Sequence, residues 1–291
     1  GLPIGWGALS GLAADRTAPG KLFAITDSAY APSRLLQIDA TQKPAKITGA
    51  LTVTKDGKPA SYDLEGIATR EGGGFWLASE GNPEKKDAVL DDILLRVSAK
   101  GEVEEEIRLP EALARHAVRF GFEGVAVTGT GADETVWLAV QREWKDDPKG
   151  KAKILSYKPA SKEWGVLHYP LSQPAAGFWM GLSELVSLGD DRFAVIERDN
   201  GFGAKAVKTL QTFSVKGLKP AAIGAAEIPT VIKTLLRDLT PDLMKAGGYG
   251  LDKVEGMTVD KAGNLFVVTD NDGVDASSGE TQFFAFGPLP R

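Results

Sequence analysis

The 291-residue chain contains no cysteine. That absence excludes disulfides, thiolate nucleophiles and Cys-ligated zinc together. Histidine is almost as scarce, with His116 and His168 alone. Neither falls in a repeated position, so a Ser-His-Asp triad is not expected. No apolar run approaches the roughly 18 residues that a membrane span needs. Basic residues are not in excess: 34 Lys and Arg face 39 Asp and Glu, for a net charge of −5. Nucleic acid is therefore not an expected partner, because binding it takes a basic face. The first residue is Gly, not Met. Removal of a signal peptide would account for that, and a thiol-free chain loses nothing in an oxidising compartment, so a periplasmic or secreted monomer is expected.

What the chain does have is one short stretch stated five times. The copies are Ser10-Gly11-Leu12-Ala13, Glu65-Gly66-Ile67-Ala68, Glu123-Gly124-Val125-Ala126, Ser183-Glu184-Leu185-Val186 and Glu255-Gly256-Met257-Thr258. The lead residues are separated by steps of 55, 58, 60 and 72. Periods of that size belong to propellers and solenoids, one supersecondary unit per repeat. The second repeat shows the unit: strands at Glu65–Thr69, Gly74–Ser79, Asp92–Val97 and Val103–Leu109, joined by turns. Four antiparallel strands make one propeller blade. The other repeats follow the same plan, and the equivalent Trp76 and Trp137 are placed to pack between blades.

The fourth repeat is longer. The spacing of Val231, Ile232, Leu235, Leu236, Leu239 and Leu243 predicts a helical insertion near 228–245, split into two short helices by Pro241. The fifth repeat is one strand short, and Leu2-Pro3-Ile4-Gly5-Trp6 is left over at the other end. The expected fold is one all-β domain, a propeller of five four-stranded blades closed by the N-terminal strand. A β-sandwich or an open array of hairpins would use the same strands without the ring.

Aligning the second strands on their apolar cores yields a second column, Asp27, Glu80, Gln141, Glu197 and Asp270. In an antiparallel hairpin the start of one strand lies beside the end of the next. Both columns thus belong to one mouth of the central channel. Three lead carboxylates facing one another repel, and burial disfavours their ionisation. A hard cation resolves this, and an oxygen-only set with two Ser hydroxyls suits Ca²⁺ better than zinc or copper. The expected metal shell is Ser10, Glu65, Glu123, Ser183 and Glu255. Pairing of these acids with Arg70, Arg119, Arg142, Arg198 and Lys253 is the alternative. The same bases can instead hold an anion beside the metal, as Arg does for phosphate. Asp270-Asn271-Asp272-Gly273 lacks the rest of a calcium loop, and Gly201-Phe202-Gly203 lacks the third Gly of a phosphate loop.

Those stretches, with Glu197-Arg198-Asp199-Asn200 and Asp270-Asn271-Asp272, resemble the phytase-like esterase family of bacterial propeller proteins over nearly the whole chain. The resemblance implies phosphoesterase activity. The order Ser, Glu, Glu, Ser, Glu over five blades is also similar to the calcium site of the soluble calcium-activated nucleotidases, which implies the same five residues as metal shell. The expected activity is hydrolysis of a small phosphorylated substrate, an ester or an anhydride. Glu80, Glu197 or Asp270 would be the general base, with Asp27, Gln141, Arg142 and Arg198 on the substrate. Two other readings stand beside it: a calcium-stabilised propeller that only binds a partner, and a glycoside hydrolase with paired carboxylates.

Overall fold

The strands form where the apolar runs predicted them. The structure, a computed structural model, describes residues 5–85, 91–245, 253–271 and 281–289. Blade 1 comprises β1 (Leu9–Ala14), β2 (Lys21–Thr26), β3 (Arg34–Asp39) and β4 (Lys46–Thr52), followed by a small hairpin of β5 (Thr54–Lys55) and β6 (Lys58–Pro59). Blade 2 holds β7 (Leu64–Thr69), β8 (Phe75–Ser79), β9 (Ile93–Val97) and β10 (Val103–Arg108), and a short helix α1 (Glu111–Ala114) leads out of it. Blade 3 is β11 (Phe122–Thr128), β12 (Thr135–Val140), β13 (Lys151–Lys158) and β14 (Glu163–Pro170). Blade 4 is β15 (Met180–Gly189), β16 (Arg192–Asp199), β17 (Lys208–Ser214) and β18 (Lys233–Asp238), with α2 (Thr240–Lys245) after it. Blade 5 has β19 (Val254–Val259), β20 (Asn264–Thr269) and β21 (Phe283–Pro288). The chain is an all-β, five-bladed β-propeller. A strand from Leu2–Ile4 in blade 5 lies outside the described residues. Among the described residues no helix is long and apolar enough to cross a membrane.

Blades 1, 2 and 5 form one compact unit; residues 80–93 and 108–254 form the other. In the first, β1 packs against β7 and β20, and in the second β11 packs against β15. These contacts explain the Gly of the repeated Glu-Gly pair. A Cβ on Gly11 would lie 3.0 Å from the Glu65 carbonyl oxygen, and one on Gly256 would lie 3.0 Å from the Gly11 carbonyl carbon. On Gly124 it would lie 2.1 Å from the Leu185 nitrogen. The innermost strands of neighbouring blades thus touch backbone to backbone, which only Gly permits. Gly124→Ala is expected to cost about 3 kcal/mol, the upper range for overpacking against groups that cannot give way. Gly5→Ala, with its nearest neighbour atom 3.9 Å from the added carbon, should stay within about 0.5 kcal/mol. Equal urea midpoints for the two variants would remove this account.

Aromatic side chains fill the space between blades. Trp137 of blade 3 lies edge-on to Phe193 of blade 4 at 5.3 Å, and Phe193 stacks on Phe213, itself 5.7 Å from Tyr169. In the other unit Phe23 of blade 1 meets Phe75 of blade 2 at 4.9 Å.

The 228–245 stretch departs from the expected pair of helices. Lys233–Asp238 is the outer strand of blade 4, and α2 is the one helix there among the described residues. Before β18 the chain runs back to blade 3. Val166 and Ala221 exchange two hydrogen bonds of 2.9 Å, and Val231 N–H donates to the His168 carbonyl at 2.9 Å. This strap covers the edge of β14, a row of backbone groups otherwise open to pairing. The helical spacing failed because Ile232 and Leu235, two of its markers, are exposed, at 86% and 57%.

Candidate functional site

Hairpin register decides which side chains share one end of each blade. Four of the five lead positions sit on β-bulges: the pairing of β1 with β2 shifts between Leu9 and Gly11, and that of β7 with β8 between Leu64 and Gly66. In β11 the shift falls between Phe122 and Val125, and in β15 between Leu182 and Leu185. A bulge re-aims the side chain of the extra residue. Just outside each bulge, the residue after the second strand faces the one two places before the lead. Asp27 N–H donates to the Ala8 carbonyl at 3.0 Å, and Gln141 N–H to the Gly121 carbonyl at 2.9 Å.

In blade 2 the same positions are Asp63, Glu65 and Glu80. Each offers a carboxylate oxygen, and these three oxygens lie within 4.8 Å of one another. It is the one such group of three or more metal-ligating side chains among the described residues. The other blades carry Ala8, Gly121, Gly181 and Lys253 where blade 2 has Asp63, so no other blade can build the same set. Two oxygens bound to one Ca²⁺ at 2.3–2.6 Å are at most about 5 Å apart. The set therefore fits a hard divalent cation, with backbone carbonyls and water to complete six to eight ligands. Glu80 is also tied down, since Gly121 N–H donates to its Oε1 at 2.9 Å.

Of the expected five-residue shell, Glu65 alone belongs to that group. Glu123 is buried and accepts a hydrogen bond from Gln141 Nε2. Ser183 accepts one from Arg198 Nε at 2.9 Å. Glu255 is buried in β19, and Ser10 is buried with an Oγ that has no hydrogen-bond partner among the described residues. Asp27 closes its own turn by accepting the Ala29 N–H. Asp270 is buried directly after β20.

Glu197 does not share the position of Asp27, Glu80 and Gln141. Leu182 pairs with Glu197 and Gly181 with Arg198, so the residue that faces the position two before the lead is Arg198. A shift of one residue sends a strand side chain to the opposite face. Glu197 accordingly points into the blade, fully buried, with Lys233 Nζ at 2.6 Å and the Tyr169 hydroxyl at 2.9 Å. Ser172 N–H also donates to it. Its neighbourhood is that of a structural ion pair, and burial beside this carboxylate pushes the Tyr169 hydroxyl well above its ordinary range.

Arg198, in contrast, joins a cationic and aromatic group on blades 3 and 4. The guanidinium carbons of Arg142 and Arg198 lie 4.9 and 5.5 Å from the centre of the Trp179 ring. Arg142 also sits 4.7 Å from Phe120, whose ring is 5.4 Å from Trp179. Arg119 covers Phe120 at 5.1 Å. Trp179 is held by its backbone, with its N–H on Asn200 Oδ1 at 2.8 Å. Its ring folds over Gly181, where a Cβ would approach to 2.9 Å. Burial draws Arg142 below its ordinary range and nearby Glu143 raises it, yet a guanidinium remains charged at any ordinary pH. Its buried Nε has no hydrogen-bond partner among the described residues. Gly121, whose N–H donates to Glu80, directly follows Phe120 in the chain.

Asp92 supports that junction. Its Oδ1 accepts the N–H of Gly81 at 2.9 Å and of Phe122 at 3.0 Å, fastening the residues that flank Glu80 and Gly121. Burial pushes its carboxyl up to about 6, against the lowering effect of those two bonds. The folded chain then binds this proton more tightly than the unfolded one, whose carboxyl titrates near 3.8. Protonation therefore stabilises fully below about pH 4, and the gain is lost as pH rises through 6, an effect of about 3 kcal/mol. Asp92→Asn should flatten the fall in stability between pH 4 and 7 measured by urea unfolding. An unchanged slope would refute the assignment.

Asp63 and Asp92 are the residues that the sequence reading missed. Asp63 had a signal, since residues two apart on a strand share a face and Asp63-Leu64-Glu65 is the one acidic pair at that spacing ahead of a lead Gly. Asp92 opens an ordinary apolar strand, and its contacts are with residues 81 and 122, far from it in sequence.

Comparisons with known proteins bear on the fold and on the family. No curated protein matches the chain in sequence. Among solved structures the chain is similar to a thermostable family-43 glycoside hydrolase, at 11% identity and a TM-score of 0.56, over 99% of this chain and 96% of that one. It is also similar to a Bacteroides ovatus protein, the xyloglucan PUL GH43B, at 11% identity and a TM-score of 0.50, over 96% of this chain and 52% of that one. Identities this low speak for a shared propeller fold alone. The model of the phytase-like family, described as esterase-like activity of phytase, matches residues 4–273. That span takes in every lead residue, the acid set of blade 2 and both arginines over Trp179, and the chain belongs to this family.

Proposed function

We propose that this propeller is a calcium-dependent hydrolase of phosphate esters or anhydrides, working at the mouth where blade 2 carries its three acids. The observation that carries the reading is the set Asp63, Glu65 and Glu80, with oxygens within 4.8 Å. These side chains would hold Ca²⁺, which when bound supplies Lewis acidity and charge neutralisation at a phosphoryl oxygen. Arg142 and Arg198 bind the phosphate, Arg142 bringing at Nε a buried donor that has no partner among the described residues. Of the three carboxylates considered as general base, Glu197 is fixed by Lys233 and Glu80 belongs to the acid set, so the role falls to Asp270. Family membership supports the phosphoester class, since the family is described by esterase-like activity of phytase.

The test is release of product from a panel of nitrophenyl phosphates, phosphodiesters, nucleotides, inositol hexakisphosphate and nitrophenyl glycosides, in calcium and in chelator. Turnover of at least one phosphate, lost on chelation, is the expected result. Glycoside cleavage that survives chelation would transfer the chain to the sugar hydrolases. Calcium binding without turnover of anything would leave a metal-stabilised binding module.

A further inference from the structure

A cavity lies at the far end of β7 from Glu65, and the hydrolase reading makes no use of it. Its volume is about 590 Å³, within the range that holds a small organic ligand. Blades 1 and 2 supply the whole wall: the turn after β1, residues of β2, β3 and β4, and the β7–β8 and β9–β10 turns. Thr69, which closes β7, is four residues beyond Glu65, about 13 Å along a strand. Two hydrogen bonds fix the walls to each other. Arg16 Nη1 donates to the Thr69 carbonyl at 3.3 Å, and Thr69 Oγ1 donates to the Ala14 carbonyl at 3.1 Å. The charges on the lining balance, Arg16 and Arg70 against Asp15 and Glu71. Two of these groups already have partners in the protein. Arg70 Nη1 donates to Glu104 Oε2 at 3.0 Å, and Asp15 Oδ1 accepts the Thr17 hydroxyl and the N–H groups of Thr17 and Ala18. Those bonds, the hydroxyl's above all, hold the Asp15 carboxyl below its ordinary range against the opposing effect of burial. Phe23 and Phe75, edge to face at 4.9 Å, form an apolar wall with Leu51.

We propose that this cavity binds a short neutral oligosaccharide. An anion gains little here, because Asp15 and Glu71 repel it and Arg70 already has its counter-charge. A wholly apolar molecule would strip water from the charged groups and return no hydrogen bonds. A sugar meets both conditions. Each of its hydroxyls donates and accepts, so guanidinium donors, carboxylate acceptors and the Gln37 amide are all matched, in part by charge-assisted bonds. The C–H face of a sugar ring covers Phe23 and Leu51 and brings no charge to them. Binding here needs neither the acid set nor a metal.

Cellotetraose, xylotetraose, maltotetraose and arabinotetraose are titrated against the full chain in chelator, by calorimetry and ligand-observed NMR, beside trigalacturonate and the zwitterion alanylalanine. At least one neutral sugar should bind with a Kd of about 1 mM or tighter. Ala99 is exposed on the rim of the cavity, so Ala99→Trp fills it from outside the core. That variant should weaken the sugar about tenfold or more and leave the Tm unchanged. Arg16→Ala/Gln37→Ala removes two exposed hydrogen-bonding groups and should weaken it by about tenfold as well. No saturation by any of the four sugars at about 10 mM, or an affinity that neither variant changes, would overturn the assignment. Trigalacturonate or alanylalanine binding more tightly than every neutral sugar would overturn it too. So would a sugar lost in Asp63→Asn/Glu65→Gln but kept in Ala99→Trp, which would place binding at the acid set. Sugar binding at this cavity without turnover of any phosphate sinks the hydrolase reading alone, and phosphate turnover without sugar binding sinks the carbohydrate site alone.

Discussion

Replacing Lys233 by Ala lowers the stability of the fold by about 3 to 5 kcal/mol at pH 7, the cost of leaving a buried carboxylate without its counter-charge. Glu197 is fully buried, and Lys233 supplies the positive charge at 2.6 Å, itself 18% exposed at the side chain. The remaining partners, the Tyr169 hydroxyl and the Ser172 N–H, donate hydrogen bonds without charge. A Lys233→Met/Glu197→Gln double variant removes both charges while keeping their volume, and should return to within about 1 kcal/mol of the parent. Urea unfolding of the three proteins at pH 7 reads both effects. A single variant as stable as the parent at pH 7 would show that the pair is dispensable. The tie has a structural purpose: it joins the strap-and-β18 segment of blade 4 to β16 and, through Tyr169, to the last strand of blade 3.

Glu197 also marks where the sequence stopped being readable. Counting from an apolar run puts it 14 residues after Ser183, close to the 15 of Glu65 and Glu80. Only the register shows that Arg198, at 15, is the equivalent residue. β15 carries a second irregularity, between Ser187 and Gly189, and period-2 reasoning fails once an extra residue enters a strand. The lead column was legible because it coincides with Gly packing: three inner strands each place a Gly against a neighbouring backbone, at 11, 124 and 256. That demand repeats with the blades and so imprints a period. The acid set carries no such period, because Asp63 has no counterpart in blades 1, 3, 4 or 5. A site built in one blade of a repeating fold is invisible to a search for what the blades share. The same limit hid β18. An outer strand faces solvent on one side, and its exposed Leu235 reads on paper like one stripe of a helix.

Neutralising Asp63 and Glu65 together, as Asp63→Asn/Glu65→Gln, should abolish the response of the protein to calcium and reverse its ranking in chelator. On the proposed reading, calcium would bind the folded parent and not its unfolded chain, stabilising it by about 2.7 kcal/mol at a hundred times the dissociation constant. The double variant keeps oxygen donors at both positions but gives up two of the three negative charges that oppose the ion. A hard cation depends on that charge for affinity, so the calcium-induced rise in Tm should vanish. Without the ion, the argument changes sign. Three carboxylates whose oxygens lie within 4.8 Å repel one another, and relieving that repulsion leaves the variant at least as stable as the parent in chelator. Turnover of any phosphate substrate should fall at least about a hundredfold, in line with the several kcal/mol a Lewis acid contributes. A variant less stable than the parent in chelator would show that these acids are held by basic partners. An undiminished calcium shift would place the ion elsewhere in the propeller. The reversal carries the weight of the test, because a merely damaged fold loses stability in both conditions, whereas a metal site loses it only where the metal is.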